Sequence, residues 1–127
     1  MNEITVVAKL TITNDGTGQT DYGDVTKNLT PSTVGQKYSS GQTVTTTAAD
    51  IDLGGLITFS TVGIIWIKNN STTTGEDVLL QKSSVVFSRI KPQEAYVMRV
   101  EPDGVAWQVK SATGSPQIRV VATGATS

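Results

Sequence analysis

Few side chains in this sequence could do chemistry, and their spacing decides what that chemistry would be. Asp50 and Asp52 stand two residues apart, on one face of an extended segment, whereas Glu76 and Asp77 are adjacent and point to opposite faces. Glu94, Glu101 and Asp103 flank turns. A hydrolase built on carboxylates needs two of them facing each other across a cleft at about 5–10 Å. Short acids beside turns are ordinarily solvated and bonded to nearby backbone instead. The chain has no histidine and no cysteine. The commonest general base, thiolate nucleophiles, disulfides and the usual zinc and iron–sulfur ligand sets are therefore missing. No Gly-x-Ser-x-Gly elbow, phosphate-cradling loop or dinucleotide fingerprint occurs. The expectation is a protein that is not an enzyme, with no catalytic, cofactor-binding or metal-ligating residues and no cofactor.

The remaining polar and aromatic groups also have plain structural readings. Asp15, Asp21 and Asp24 share one Gly-rich stretch, and oxygen-rich loops hold calcium, but the spacing departs from the EF-hand pattern and reads as a solvated loop. Arg89, Lys91 and Arg99 are balanced by Glu94 and Glu101, which describes salt-bridged strand ends better than a phosphate groove. Asn69-Asn70-Ser71-Thr72 contains two glycosylation sequons and reads as a polar turn. Among the few aromatics, only Trp66 and Trp107 are serious candidates for stacking a sugar. Trp66 lies inside the apolar run Ile64–Ile67, and Trp107 is in register with Val105 and Val109, so both read as core anchors.

The elements that must position these groups are strands. The 127 residues suit one domain with a core of its own, and ten basic against eleven acidic residues leave a net charge of −1, which argues against a nucleic-acid partner. Twenty Thr and eleven Ser, with few strong helix formers, favour pleated structure. No apolar run approaches the ~20 residues of a membrane helix, so no membrane partner is expected. The opening Met1-Asn2-Glu3-Ile4 carries no secretory signal, and synthesis in the cytoplasm is the expectation.

Ile4 to Thr13 alternates apolar and polar residues as a half-buried strand does, and stops at Asn14-Asp15-Gly16. The stretch around residues 14–41 is polar and reads as a long loop or arm with one short strand near Val25–Leu29. Gln42 to Thr47 is a Thr-rich strand, and Ile64–Ile67 a strand buried on both faces. Further strands are expected at Asp77–Gln81, Ser84–Ile90, Ala95–Glu101, Val105–Lys110 and Gln117–Thr123. Pro102-Asp103-Gly104, between two alternating runs, reads as a hairpin turn. Eight or nine strands with regular turn signals predict a single all-β domain over residues 1–127, an antiparallel β-sandwich of jelly-roll type.

Residues 50–123 carry a family likeness. The strings Val62-Gly63-Ile64-Ile65-Trp66-Ile67-Lys68-Asn69, Val78-Leu79-Leu80-Gln81 and Arg89-Ile90-Lys91-Pro92-Gln93-Glu94-Ala95-Tyr96-Val97-Met98-Arg99-Val100 resemble a small all-β virion structural protein of tailed bacteriophages. In that group a strand ending in an Asn turn precedes a Lys-Pro-Gly-Glu-like turn, and Gln93 stands here where Gly is usual. The resemblance implies an auxiliary capsid decoration or cement protein that binds the outer shell as a homo-oligomer, with a trimer favoured. Its partner would be the major capsid protein or another virion protein, and its location the virion. A neck or tail component is the alternative within that class, and a carbohydrate-binding module for surface attachment is the alternative outside it.

Overall fold

The computed structural model describes residues 4–12, 20–29 and 37–124, and among these no segment is helical. The strands are β1 (Ile4–Ile12), β2 (Thr20–Leu29), β3 (Lys37–Thr43), β4 (Ala49–Asp50), β5 (Val62–Asn69), β6 (Val78–Lys82), β7 (Val85–Ile90), β8 (Ala95–Arg99), β9 (Trp107–Ser111) and β10 (Gln117–Gly124). β1 and β2 form a two-stranded ribbon of their own, and the other eight make two four-stranded antiparallel sheets, β3-β10-β5-β8 and β4-β9-β6-β7.

One rule generates this order. β6 pairs with β7, β5 with β8, β4 with β9 and β3 with β10. The eight strands are thus one long antiparallel ribbon doubled back at the β6–β7 turn. Rolling that ribbon brings β10 beside β5 and β9 beside β6, which closes the two sheets. Nested pairing of eight strands in two layers is the jelly roll expected from the turn spacing.

The period-two pattern decides which side chains fill the space between the layers. Ile65 and Ile67 of β5, Ile118, Val120 and Ala122 of β10, Val78 and Leu80 of β6, and Trp107 and Val109 of β9 all point inward and are buried. Val44, Ile51, Leu53, Ile57 and Phe59, from the connections around β4, join the same cluster. Each such side chain contributes roughly 1.5–3 kcal/mol by leaving water. The polar run Thr43–Ala49 crosses between layers: Val44 N–H donates to the Pro116 carbonyl in one sheet, and Ser111 N–H donates to the Thr45 carbonyl in the other. The strand expected at Gln42–Thr47 therefore ends at Thr43, because Thr45 turns its hydroxyl onto the Thr47 amide and leaves the ladder.

β2 is also longer than the short strand expected at Val25–Leu29. It runs ten residues inside the stretch read as a polar loop, paired residue for residue with β1, with Gly23 as an extra residue between Tyr22 and Asp24. Residues 37–41 of that stretch belong to β3, which begins before the strand expected at Gln42, and residues 14–19 and 30–36 lie outside the described ones.

Turn chemistry departs from expectation in two places. Pro102-Asp103-Gly104 does not close a hairpin, because β8 and β9 belong to different sheets. The connection instead crosses the sandwich, held by Val105 N–H on Asp103 Oδ1, Gly104 N–H on the Phe59 carbonyl, and the ion pair of Lys82 with Asp103. That ammonium, helped by the Val105 amide, holds the Asp103 carboxyl below the usual range. The tight hairpin lies at Ser83-Ser84, with φ of 51° and 66°. Two consecutive positive φ values between the paired residues Lys82 and Val85 make a type I′ turn, the form that fits strand twist.

At the opposite end of β7, Lys91-Pro92-Gln93-Glu94 is a type II turn closed by Glu94 N–H on the Lys91 carbonyl. Gln93 takes the glycine conformation itself, at φ 69°, and its carboxamide donates to the Asn70 and Ser71 carbonyls. Beneath it Asn69 is fully buried and fully bonded. Its Nδ2 donates to the Glu76 and Ile90 carbonyls at 2.8 and 3.0 Å, its Oδ1 accepts from Ser71 N–H, and its backbone bonds Gln93 and Glu94.

Two outcomes follow from this geometry. Replacing the turn by the paired change Ser83→Asn and Ser84→Gly raises stability by about 1 kcal/mol, since serine is held there at positive φ; a urea midpoint that fails to rise shows the turn is not strained. Asn69→Ala leaves two carbonyls and an amide without partners inside the protein and costs about 3 kcal/mol. A loss under about 1 kcal/mol in the same measurement shows that water replaces the carboxamide.

Candidate functional site

The two layers are open along one side. β7 ends one sheet and β8 ends the other, and the two succeed each other in the chain. Both free edges therefore lie on the same side of the sandwich. Between them sits an aromatic group that sequence periodicity did not reveal. In β7, Ser88 pairs with Leu80 and Val86 with Gln81, so Phe87 is the extra residue of a β-bulge. Phe87 points inward, where its ring meets Trp107 edge-on at 4.9 Å and Tyr96 at 6.4 Å, while Tyr96 and Trp107 lie 6.3 Å apart. T-shaped contacts of this kind add about 0.5–1.5 kcal/mol each beyond burial. Strict alternation would have put Arg89 on the face of Val85 and Phe87; Val85 and Phe87 line the same hollow, and the bulge sends Arg89 to the other face.

The rings floor a shallow hollow of about 440 Å³ whose rim carries Lys82, Ser83, Val85 and Glu101. Trp107 is buried there, as expected of a core anchor, while Phe87 remains 43% exposed. Along the two edge strands Val85, Val86, Val97 and Met98 are exposed as well, Val85 by 68% and Met98 by 50%. Burial among the rings and strands pushes the Tyr96 phenol above its ordinary value.

Trp66 is not where its apolar run placed it. Ile65 and Ile67 take the interior, so Ile64 and Trp66 face outward from the β3-β10-β5-β8 sheet, in a row with Val97 and Val121. The strand is covered on both faces all the same, because β1 lies over this row. Thr5, Val6 and Val7 wall a second hollow of about 380 Å³ with Ile64, Trp66, Val97, Val121 and Thr123. Trp66 is half-buried there rather than a core anchor. A third hollow, of about 320 Å³, is polar and is lined by Asn70, Ser71, Thr72, Thr73, Glu76, Ser115, Pro116 and Gln117.

The acidic candidates are scattered among local partners. Asp50 Oδ1 accepts from the Gln108 carboxamide, and Asp52 accepts from the Tyr38 hydroxyl and the Gly54 amide. Glu76 accepts from the Ser71 hydroxyl, and Glu94 from the Lys91 amide. Asp77 is buried and binds Arg89 at 2.7 Å, with Lys91 at 3.7 Å. Arg89 and Lys91 thus converge on Asp77 rather than on Glu94, while Arg99 sits at the far end of β8 in register with Ile64. None of the three hollows joins two carboxylates. Asp15 lies outside the described residues, and Asp21 and Asp24 fall in β2 opposite Thr11 and Lys9. Among the described residues no three metal-ligating side chains cluster. Asn69 of the first sequon is sealed from solvent, and Asn70 of the second is exposed.

No protein-family model and no curated protein matches the chain. The open rim of edge strands with its aromatic floor is accordingly the feature on which a functional reading has to be built.

The rim also has a pH signature. A phenol favoured in its neutral form gives stability that is present below the ordinary tyrosine value near pH 10 and is lost as pH rises through the raised value. In an alkaline absorbance titration Tyr96 ionises later than a free tyrosine, and Tyr96→Phe removes that late step. Ionisation of Tyr96 at the ordinary value shows that the aromatic group is open to water.

Proposed function

We propose that this protein is a structural component of a virus particle, an auxiliary capsid protein that binds the outer shell of a tailed bacteriophage as a homo-oligomer. The supporting observation is the rim. Sheet edges are ordinarily guarded by charge, proline or extreme shortness, because an unpaired apolar edge recruits other chains. Here the first three residues of β7 are Val-Val-Phe, and Met98 stands on β8, all exposed. A module of this kind works by contact with other proteins, and repetition over a shell turns weak contacts into lasting attachment. The likeness of residues 50–123 to tailed-phage virion proteins supplies the particle.

The glycan-binding alternative draws on an open indole face. Trp107 is closed over by its neighbours and Trp66 lies beneath β1, so neither ring favours that reading.

The test is co-sedimentation of the purified protein with particles of the virus that encodes it, separated into heads, necks and tails. Saturable pelleting with heads is the expected outcome. Binding confined to necks or tails overturns the capsid assignment, and failure to bind any fraction overturns the virion reading as a whole.

A further inference from the structure

We infer that the β7–β8 rim is a twofold contact with a second copy of this chain. The inference takes its homo-oligomeric premise from the reading above and names the surface that serves it. Four of the eight exposed large hydrophobics among the described residues lie on these two strands and outside the hollow under β1: Val85, Val86, Phe87 and Met98. Aliphatic and aromatic side chains of this kind, with charged Lys82 and Glu101 at the margin of the hollow, match the apolar centre and polar rim of a protein interface.

The choice of partner follows from the opposite side of the sandwich. There the free edges are β3 and β4. β3 reads Lys-Tyr-Ser-Ser-Gly-Gln-Thr and β4 is two residues long, Ala49-Asp50. One edge is polar and the other is minimal, which are two of the recognised ways to guard an edge. Among the described strands of the two four-stranded sheets, one side is adhesive and the other guarded. A head-to-tail ring or filament needs two complementary sides, whereas a single self-complementary side closes at two copies across a twofold axis.

Charge fits the same arrangement. The charged residue on β7 is Arg89, one position from the end of the strand. If β7 meets its copy antiparallel about the midpoint of Val85–Ile90, Arg89 falls opposite Val86 of the other copy and not opposite itself. Like charges directly across a strand pair are thereby avoided. The rings of Phe87 from both copies then flank the axis and close the two hollows against each other, removing the most exposed ring of each aromatic group from water.

Sedimentation and native mass measurement decide the matter. The wild-type chain runs at twice its 13.4 kDa mass. Val86 and Met98 are both exposed, so the paired change Val86→Lys and Met98→Lys leaves the core untouched. It brings four ammonium groups together across the axis and weakens association by about 100-fold or more. Leu56→Lys, at a side chain 77% exposed and away from the rim, leaves the dimer intact. A wild-type monomer, a trimer, or a Val86→Lys, Met98→Lys variant that associates like wild type overturns the inference. So does equal loss of association in Leu56→Lys. Pelleting with heads is scored separately: a monomer that binds heads sinks this contact and leaves the virion reading standing, and a dimer that ignores every particle fraction does the reverse.

Discussion

A carboxamide with no access to water must find its hydrogen-bond partners inside the protein. At Asn69 that requirement organises one whole end of the sandwich. The residue is the last of β5, yet its side chain holds the carbonyl of Glu76 just before β6, the carbonyl of Ile90 at the end of β7, and the amide of Ser71 in the loop between. Its backbone fixes the Gln93–Glu94 turn that sends the chain from one layer to the other. Removing any partner would strand a polar group in a medium where that is expensive. The spacing of the layers at this end is therefore set by hydrogen-bond geometry, while at the opposite end it is set by the packing of Trp107, Phe87 and Tyr96.

The departure at Gln93 belongs to the same network. Glycine would meet the positive φ of this turn without strain. Glutamine bears the strain and returns two side-chain hydrogen bonds to the Asn70 and Ser71 carbonyls, which would otherwise lack that cover. A comparable exchange occurs at Gly54, where φ is 81° and a Cβ would lie 2.3 Å from the Tyr38 ring. The ring can rest on the backbone there, with its hydroxyl on Asp52, because no side chain intervenes.

Much of the fold was legible in the sequence because burial follows a period of two wherever a strand has one wet face. β1, β6, β8 and β10 fall close to where alternation put them, and the jelly roll follows from strand number and turn spacing. The misreadings have physical causes. β2 is polar along most of its length, so alternation gives no signal there, and its pairing with β1 is what identifies it as a strand. Ser83-Ser84 forms the hairpin although neither residue is glycine or asparagine, and Pro-Asp-Gly, which looks like a hairpin, serves as a crossing between layers. The candidate site was the least legible part. Trp66 stood in a continuous apolar run that gives no hint of which face it takes, and the bulge at Phe87 shifts register by one. Single-residue register shifts reverse the facing of every side chain beyond them, and local composition does not record where they occur.

Nested pairing also bears on how the chain is made. β10 is an interior strand, flanked by β3 and β5, although it is the last strand to be synthesised. Until Gln117–Gly124 has left the ribosome, β3 has no neighbour in its layer and β5 has only β8, with Ile65 and Ile67 uncovered on one flank. The innermost pair, β6 with β7, can form as soon as its own residues emerge, and each later pair must close over a longer span of chain. A nascent chain stalled before β10 thus exposes apolar strand edges that the finished protein hides, and cellular surveillance of incomplete products can tell the two apart on that basis alone.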